Sequence, residues 1–207
     1  MNQMPQWIWI IAGISGSGKS TITGNDRFSE KLPDMPVLNV NDVQNVLHTQ
    51  FPDLTKEKSY EQAVEMVSMD AHMFIDAEQP FCIKTALRSD RFKKVAEKAR
   101  AKNIRIGMIY VGLSSLELAH KRLQNRVTAG DSTLQTVTLD DLKADWQSSL
   151  NNLSWFAPRV DRLLIYNNDD PNGRPALIAE GKDGKVQILN TLSIPDITDI
   201  LLPISGM

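Results

Sequence analysis

Residues 13 to 20 read Gly-Ile-Ser-Gly-Ser-Gly-Lys-Ser and follow directly on the apolar, β-rich run Trp7-Ile-Trp-Ile-Ile-Ala12. No other stretch constrains the fold as tightly. Four free residues between glycines, then Gly-Lys-Ser, is the pattern of a loop that wraps phosphate, and its mechanism requires a strand before it and a helix after it. Gly13 permits the tight exit from the strand, while Gly16 and Gly18 let backbone amides reach phosphate oxygens with no side chain between. A helix predicted from about Ser20 to Glu30 brings its positive N-terminal end to the same place. Ser15, Ser17 and Thr21 complete the predicted cradle. Lys19 would reach the β- and γ-phosphates of a nucleotide, and the Ser20 hydroxyl would ligate Mg²⁺.

The rest of the chain alternates strand and helix patterns. Val37 to Val40, Phe81 to Thr85, Arg105 to Val111 and Leu163 to Asn167 read as further strands. Helical patterns cover Asp42 to Leu47, Lys56 to Ala77, Asp90 to Lys102, Ser115 to Val127 (with Ser115 as cap) and a stretch opened by the capping box Thr138-Leu-Asp-Asp141 and reaching about Leu153. In the longest of these, Tyr60, Ala63, Val64, Val67, Ala71, Phe74 and Ile75 recur at helical spacing. A methionine stripe, Met66, Met69 and Met73, lies beside that face and is read as additional core packing. Gly130 to Thr136 reads as a polar loop and Asn168 to Gly173 as a turn. Ala176 to Glu180 and Val186 to Leu189 flank Gly181-Lys-Asp-Gly184 as a hairpin, and a last helix begins after Pro195. This pattern predicts an α/β fold, a mostly parallel sheet with helices on both faces plus a C-terminal hairpin and helix. One domain is expected over 1–207, with its core at about 7–170 and the C-terminal addition at 176–203.

At 207 residues the chain carries 42% hydrophobic and 23% charged residues and a formal net charge of −2. That balance gives no global attraction to nucleic acid or anionic membrane. The single cysteine, Cys82, suits a reducing compartment and reads as a small buried strand residue rather than a catalytic thiol. No secretory leader or membrane-span pattern is visible, so a cytoplasmic location is expected. His48, His72 and His120 lack metal-ligand spacing and read as ordinary helix residues.

A magnesium-bound nucleotide usually has a carboxylate from a neighbouring strand end. Asp42, just after the second strand, is the best candidate, its alternative role being to cap the following helix. Arg122 and Arg126 lie one helical turn apart on one face, ahead of the polar loop at Gly130, where they could clamp a transferred phosphate. Trp146 and Trp155 read as packing beneath that loop.

Taken together, residues 7 to 170 resemble the zeta-toxin-like P-loop kinases. The resemblance rests on Gly13 to Thr21, Val37-Leu-Asn-Val-Asn-Asp-Val43, Phe81-Cys-Ile-Lys-Thr-Ala-Leu87, Tyr110 to Ala119, Arg126-Val-Thr-Ala-Gly130, Ser149 to Leu153 and Asp161 to Asn168. It implies a nucleoside-kinase-like sheet, ATP and Mg²⁺ as cofactors, and an antitoxin-like protein partner. Toxins of this type phosphorylate UDP-N-acetylglucosamine at the 3′-hydroxyl of the sugar.

The chain departs from that pattern where the substrate would be handled. Asn41 stands where the family has its presumed aspartate base, and an amide cannot take up the proton as a carboxylate does. Lys84-Thr85 replaces Glu-Thr, so the acid that helps hold the substrate sugar becomes a cation. Asp145 and Ser148 stand where two arginines of the lid helix hold phosphate, and Gly130-Asp-Ser132 replaces Gly-Gly-His. Asn41, Lys84 and Thr85 are therefore the expected substrate-facing positions, and Lys19, Asp42, Arg122 and Arg126 the expected catalytic set. Two readings follow. One is an ATP-dependent kinase acting on a small-molecule hydroxyl. The other is a nucleotide-binding pseudokinase that senses nucleotide or acts through protein partners. A nucleic-acid end kinase is disfavoured by the acidic balance.

Overall fold

The computed structural model describes residues 6–23, 35–130, 137–170 and 174–205. Seven strands form one sheet in the order β2-β3-β1-β4-β5-β6-β7. They are β1 (Trp7–Ala12), β2 (Val37–Asn39), β3 (Phe81–Thr85), β4 (Arg105–Gly112), β5 (Arg162–Asn167), β6 (Ala176–Lys182) and β7 (Lys185–Ile188). The first five pair in parallel, and β6 and β7 join antiparallel at one edge. Parallel strands need covered faces, which is why β1 and β4 read as unbroken apolar runs and are buried nearly end to end.

Alternation along β1 divides the core. Ile8, Ile10 and Ala12 face the larger cluster, to which α2 (Val40–Gln50), α3 (Lys56–Asp76), α4 (Arg91–Ala101), α5 (Leu116–Thr128), α6 (Leu139–Phe156) and α7 (Pro195–Leu201) all contribute. Trp9 and Ile11 face the other side, with Cys82, Ile109, Val111 and Leu164. Among the described helices only α1 (Lys19–Thr23) joins that second cluster, through Ile22. Across from Trp9, Gly107 leaves room for the indole: a Cβ there would lie 2.5 Å from its ring.

Several sequence expectations shift. The first helix begins at Lys19, and its continuation to Glu30 lies outside the described residues, as do Asp131 and Ser132 of the polar loop and the end of the turn at 171–173. β2 ends at Asn39 and the next helix starts at once, so Val40 is helical. Asn39 is its cap, accepting from the Asn41 amide at 3.2 Å, which removes Asp42 from that role. The methionine stripe is no part of the core: Met66, Met69 and Met73 are 48%, 61% and 67% exposed. Their positions fall just outside the buried arc of Ala63, Val64, Val67 and Ala71, which sequence spacing alone does not separate. Helix α6 runs on to Phe156. The hairpin turn is the pair Asp183-Gly184, both at positive φ, with Gly181 and Lys182 inside the strand. No described helix is long and apolar enough to cross a membrane.

Candidate functional site

Parallel sheets place their loops, and so their sites, at the carboxyl ends of the strands. Here the ends of β1, β2, β3 and β5 surround a cavity of about 610 Å³ lined by Ser15, Gly16, Gly18 to Thr21, Asn39, Asn41, Asp42, Asn45, Lys84, Arg122, Leu123, Arg126, Asn168 and Asp170.

Bonds within the chain hold the glycine loop in shape. Gly13 leaves β1 at φ 139°, where a Cβ would run into the Val111 carbonyl. The Asn168 side chain, just beyond β5, donates to the Ser17 carbonyl at 2.9 Å. Lys19 is 7% exposed and folds back over the loop, donating to the Gly13 and Ile14 carbonyls at 2.6 and 3.0 Å. Burial pulls its ammonium down to about 7, the neighbouring Lys84 charge adds to the fall, and Asp145 opposes it.

Arg122 and Arg126 both line this cavity, as their one-turn spacing requires. One Arg122 nitrogen donates to the Asn168 carbonyl at 2.8 Å, while its Nη1 is buried with no partner among the described residues. Asn41 and Asp42 reach the cavity from the first turn of α2. Asp42 acts on Lys84, tending to hold its ammonium charged against a larger lowering by burial.

Strand parity separates Lys84 from Thr85. Lys84 shares the face of Cys82 and Ile11, the face that α1 covers, and pairs in register with Ile11 and Asn39. Its ammonium therefore arrives at the start of α1 and donates to Ser20 Oγ at 2.7 Å. Thr85 points the other way, is fully buried, and accepts from the Leu87 amide at 3.0 Å. It supports the turn after β3, and its expected contact with substrate does not fit. Gly13 and Ser17 likewise stand behind the cavity wall, although both shape the loop.

Both members of the expected magnesium pair, Ser20 and Asp42, line the cavity, with Lys84 close to each. The Ser20 hydroxyl already accepts from a cation of the chain itself, and Asp42 faces that cation too. Among the described residues no three His, Cys, Asp or Glu side chains come together as metal ligands. A divalent ion at the Ser20 hydroxyl would have to compete with the Lys84 ammonium.

A second cavity, about 630 Å³, opens between α3, α6 and the turn after β3. Arg88, which sequence reasoning passed over, commands it. Its guanidinium lies 3.5 Å from the centre of the Tyr60 ring and bonds Asp145 at 2.7 Å, with Glu57 at 3.6 Å. Burial pushes the Asp145 carboxyl above its usual range, more than Arg88 draws it down. Asp145 is thus the partner of an arginine delivered from another element. The one signal for it was the acid at an otherwise arginine position. Trp146 is packing, as expected: it lies against Tyr110 and donates to Asp196 at 2.8 Å.

Strand order, loop and cavity define a P-loop kinase fold. Solved structures share it. A chain of the AvrRxo1-ORF1:-ORF2 complex, solved with ATP, superposes at a TM-score of 0.69 with 10% identity, covering 100% of this chain and 67% of that one. A protein of the PezAT chromosomal toxin–antitoxin system of Streptococcus pneumoniae superposes at 0.59 with 14% identity, covering 100% and 80%. A kinase-like protein from Chloroflexus aurantiacus, described as a putative kinase, gives 0.52 with 18% identity over 70% and 76%. The chain spans about two thirds of the matched chains of the AvrRxo1-ORF1:-ORF2 complex, 65%, 67% and 64% in three structures. No protein-family model and no curated protein sequence matches it.

Proposed function

We propose that the chain binds ATP in the cavity around Lys19 and transfers its γ-phosphate to the hydroxyl of a small molecule. The observation that carries this reading is the convergence of Lys19, Arg122, Arg126 and Asp42, from three separate elements, on one cavity at the strand ends. Lys19 and the two arginines would offset charge on the transferring group. The Asp42 carboxylate would take the acceptor proton as the new oxygen–phosphorus bond forms and the β–γ bridge breaks, releasing ADP. Asn41 has no such capacity and would orient the acceptor. The resemblance to zeta toxins supports a kinase. The changes at Asn41, Lys84 and Asp145 argue against UDP-N-acetylglucosamine as its acceptor. Two fold neighbours come from systems with a partner chain, which supports an antitoxin-like partner here.

One observation favours the second reading, a nucleotide-binding pseudokinase: the Lys84 ammonium on Ser20. ADP release from ATP, with and without candidate acceptors and with Mg²⁺ present or chelated, tests for transfer. Acceptor-stimulated release that disappears in Lys19→Ala supports transfer. Tight ATP binding with no release under any condition removes transfer to those acceptors and leaves a kinase of another substrate beside the pseudokinase.

A further inference from the structure

We propose that the Lys84 ammonium takes the place of a divalent cation between the Ser20 hydroxyl and the phosphates, so that the chain binds nucleoside triphosphate without metal. This rests on the nucleotide reading above and deepens it.

Three features of the geometry support it. Lys84 Nζ sits 2.7 Å from Ser20 Oγ, the hydroxyl that in a phosphate-binding loop of this kind would face a metal. The contact is built into the sheet, since the pairing of Lys84 with Ile11 and Asn39 fixes its height at the strand ends and the pleat fixes its face. A metal at this hydroxyl would have to share it with an ammonium group, against their mutual repulsion.

The charge of the cavity points the same way. Its described lining residues include four cations, Lys19, Lys84, Arg122 and Arg126, against the two carboxylates Asp42 and Asp170. That surplus suits a metal-free triphosphate, which carries about two more negative charges than its magnesium complex. Lysine binds phosphate as a compact point charge, so one ammonium can bridge a hydroxyl and a phosphate oxygen much as a small cation does. The Cβ of residue 84 is anchored in the strand, which fixes where this side chain enters the site, and the Asp42 carboxylate in the same cavity opposes the lowering that burial imposes on its ammonium.

The test is calorimetric titration of the full chain with ATP, once in excess EDTA and once in millimolar Mg²⁺. The expected result is an affinity in EDTA within about threefold of that in Mg²⁺, or tighter. Lys84→Met is expected to lose at least about tenfold in EDTA and to regain it on adding Mg²⁺. Circular dichroism checks that the variant is folded, and the wild-type comparison stands without it. An affinity that falls more than about threefold when wild type meets EDTA overturns the role of Lys84 and leaves the nucleotide reading intact. Absence of binding in both buffers overturns the two together.

Discussion

The two cavities are nearly equal in volume, about 610 and 630 Å³, yet they are made of different material. The one around Lys19 is shaped by backbone: a glycine loop, four strand ends, and an asparagine side chain bonded to a loop carbonyl. The one around Arg88 is shaped by side chains from α3, α6 and a turn, held by an arginine between a ring and two carboxylates. A backbone site survives drift at the residues around it, because its glycines and sheet register specify it. A side-chain site can be rebuilt by a few exchanges, as Asp145 and Arg88 illustrate. The contrast is between a cavity set by a glycine loop and sheet register and one set by side chains that only the folded chain brings together.

The strongest way to break that comparison is to exchange the central cation of each cavity. Lys19→Ala is expected to weaken ATP binding at least about a hundredfold by titration, since it removes a buried charge from the phosphate position. Arg88→Ala is expected to change it by less than about threefold. Equal losses would mean that the two cavities act as one.

Next in size is the ion pair itself. Asp145→Ala leaves a mostly buried guanidinium without its closest partner, and is expected to cost about 3 kcal/mol, lowering Tm by roughly 6 to 12 °C in thermal denaturation. Arg88→Met combined with Asp145→Leu is expected to recover most of that loss, because an apolar pair of similar volume removes both charges together with the cost of taking them out of water. A double variant as unstable as the single one would show that the pair holds the fold together.

How much was legible beforehand follows the same divide. The loop, the strand before it, the capping by Ser115 and Thr138 and the arginine pair of α5 are local patterns, and their positions followed from spacing alone. Lys84 was singled out through the resemblance, but its contact with Ser20, 64 residues away in sequence, depends on β3 lying beside β1. Asn168 and Asp170 reach the cavity through the same kind of long-range closure and carried no signal of their own. Arg88 is separated from Asp145 by 57 residues, so only the folded chain brings them together. The methionine stripe misled for a plainer reason. Helical spacing gives the centre of a buried arc well and its margin poorly.

A smaller effect comes from pH. The Lys19 ammonium lies near 7 when folded, against an ordinary 10.5, so between those values the unfolded chain holds the extra proton. Stability is therefore gained as pH rises above 7 and lost as it falls through 7. Relative to Lys19→Met, the wild-type protein is expected to gain about 1 kcal/mol between pH 7 and pH 8 in urea unfolding. A flat difference would place the ammonium outside the buried site. The smallest expected effect lies in neither cavity. Cys82 is 2% exposed and burial pushes its thiol up to about 12, so the folded protein is expected to leave a thiol reagent unconsumed at pH 8 and to react once unfolded in urea.

The fold of Lys19 over its own loop has a thermodynamic consequence. Its ammonium holds the Gly13 and Ile14 carbonyls, and Asn168 holds Ser17 from behind. The curl is therefore held by bonds that the chain makes to itself, so its conformational entropy falls to folding instead of to association. A ligand entering this cavity exchanges partners with a loop already in shape. Binding should then carry little of the unfavourable entropy of an ordering segment, and its rate should follow electrostatic encounter more than loop rearrangement.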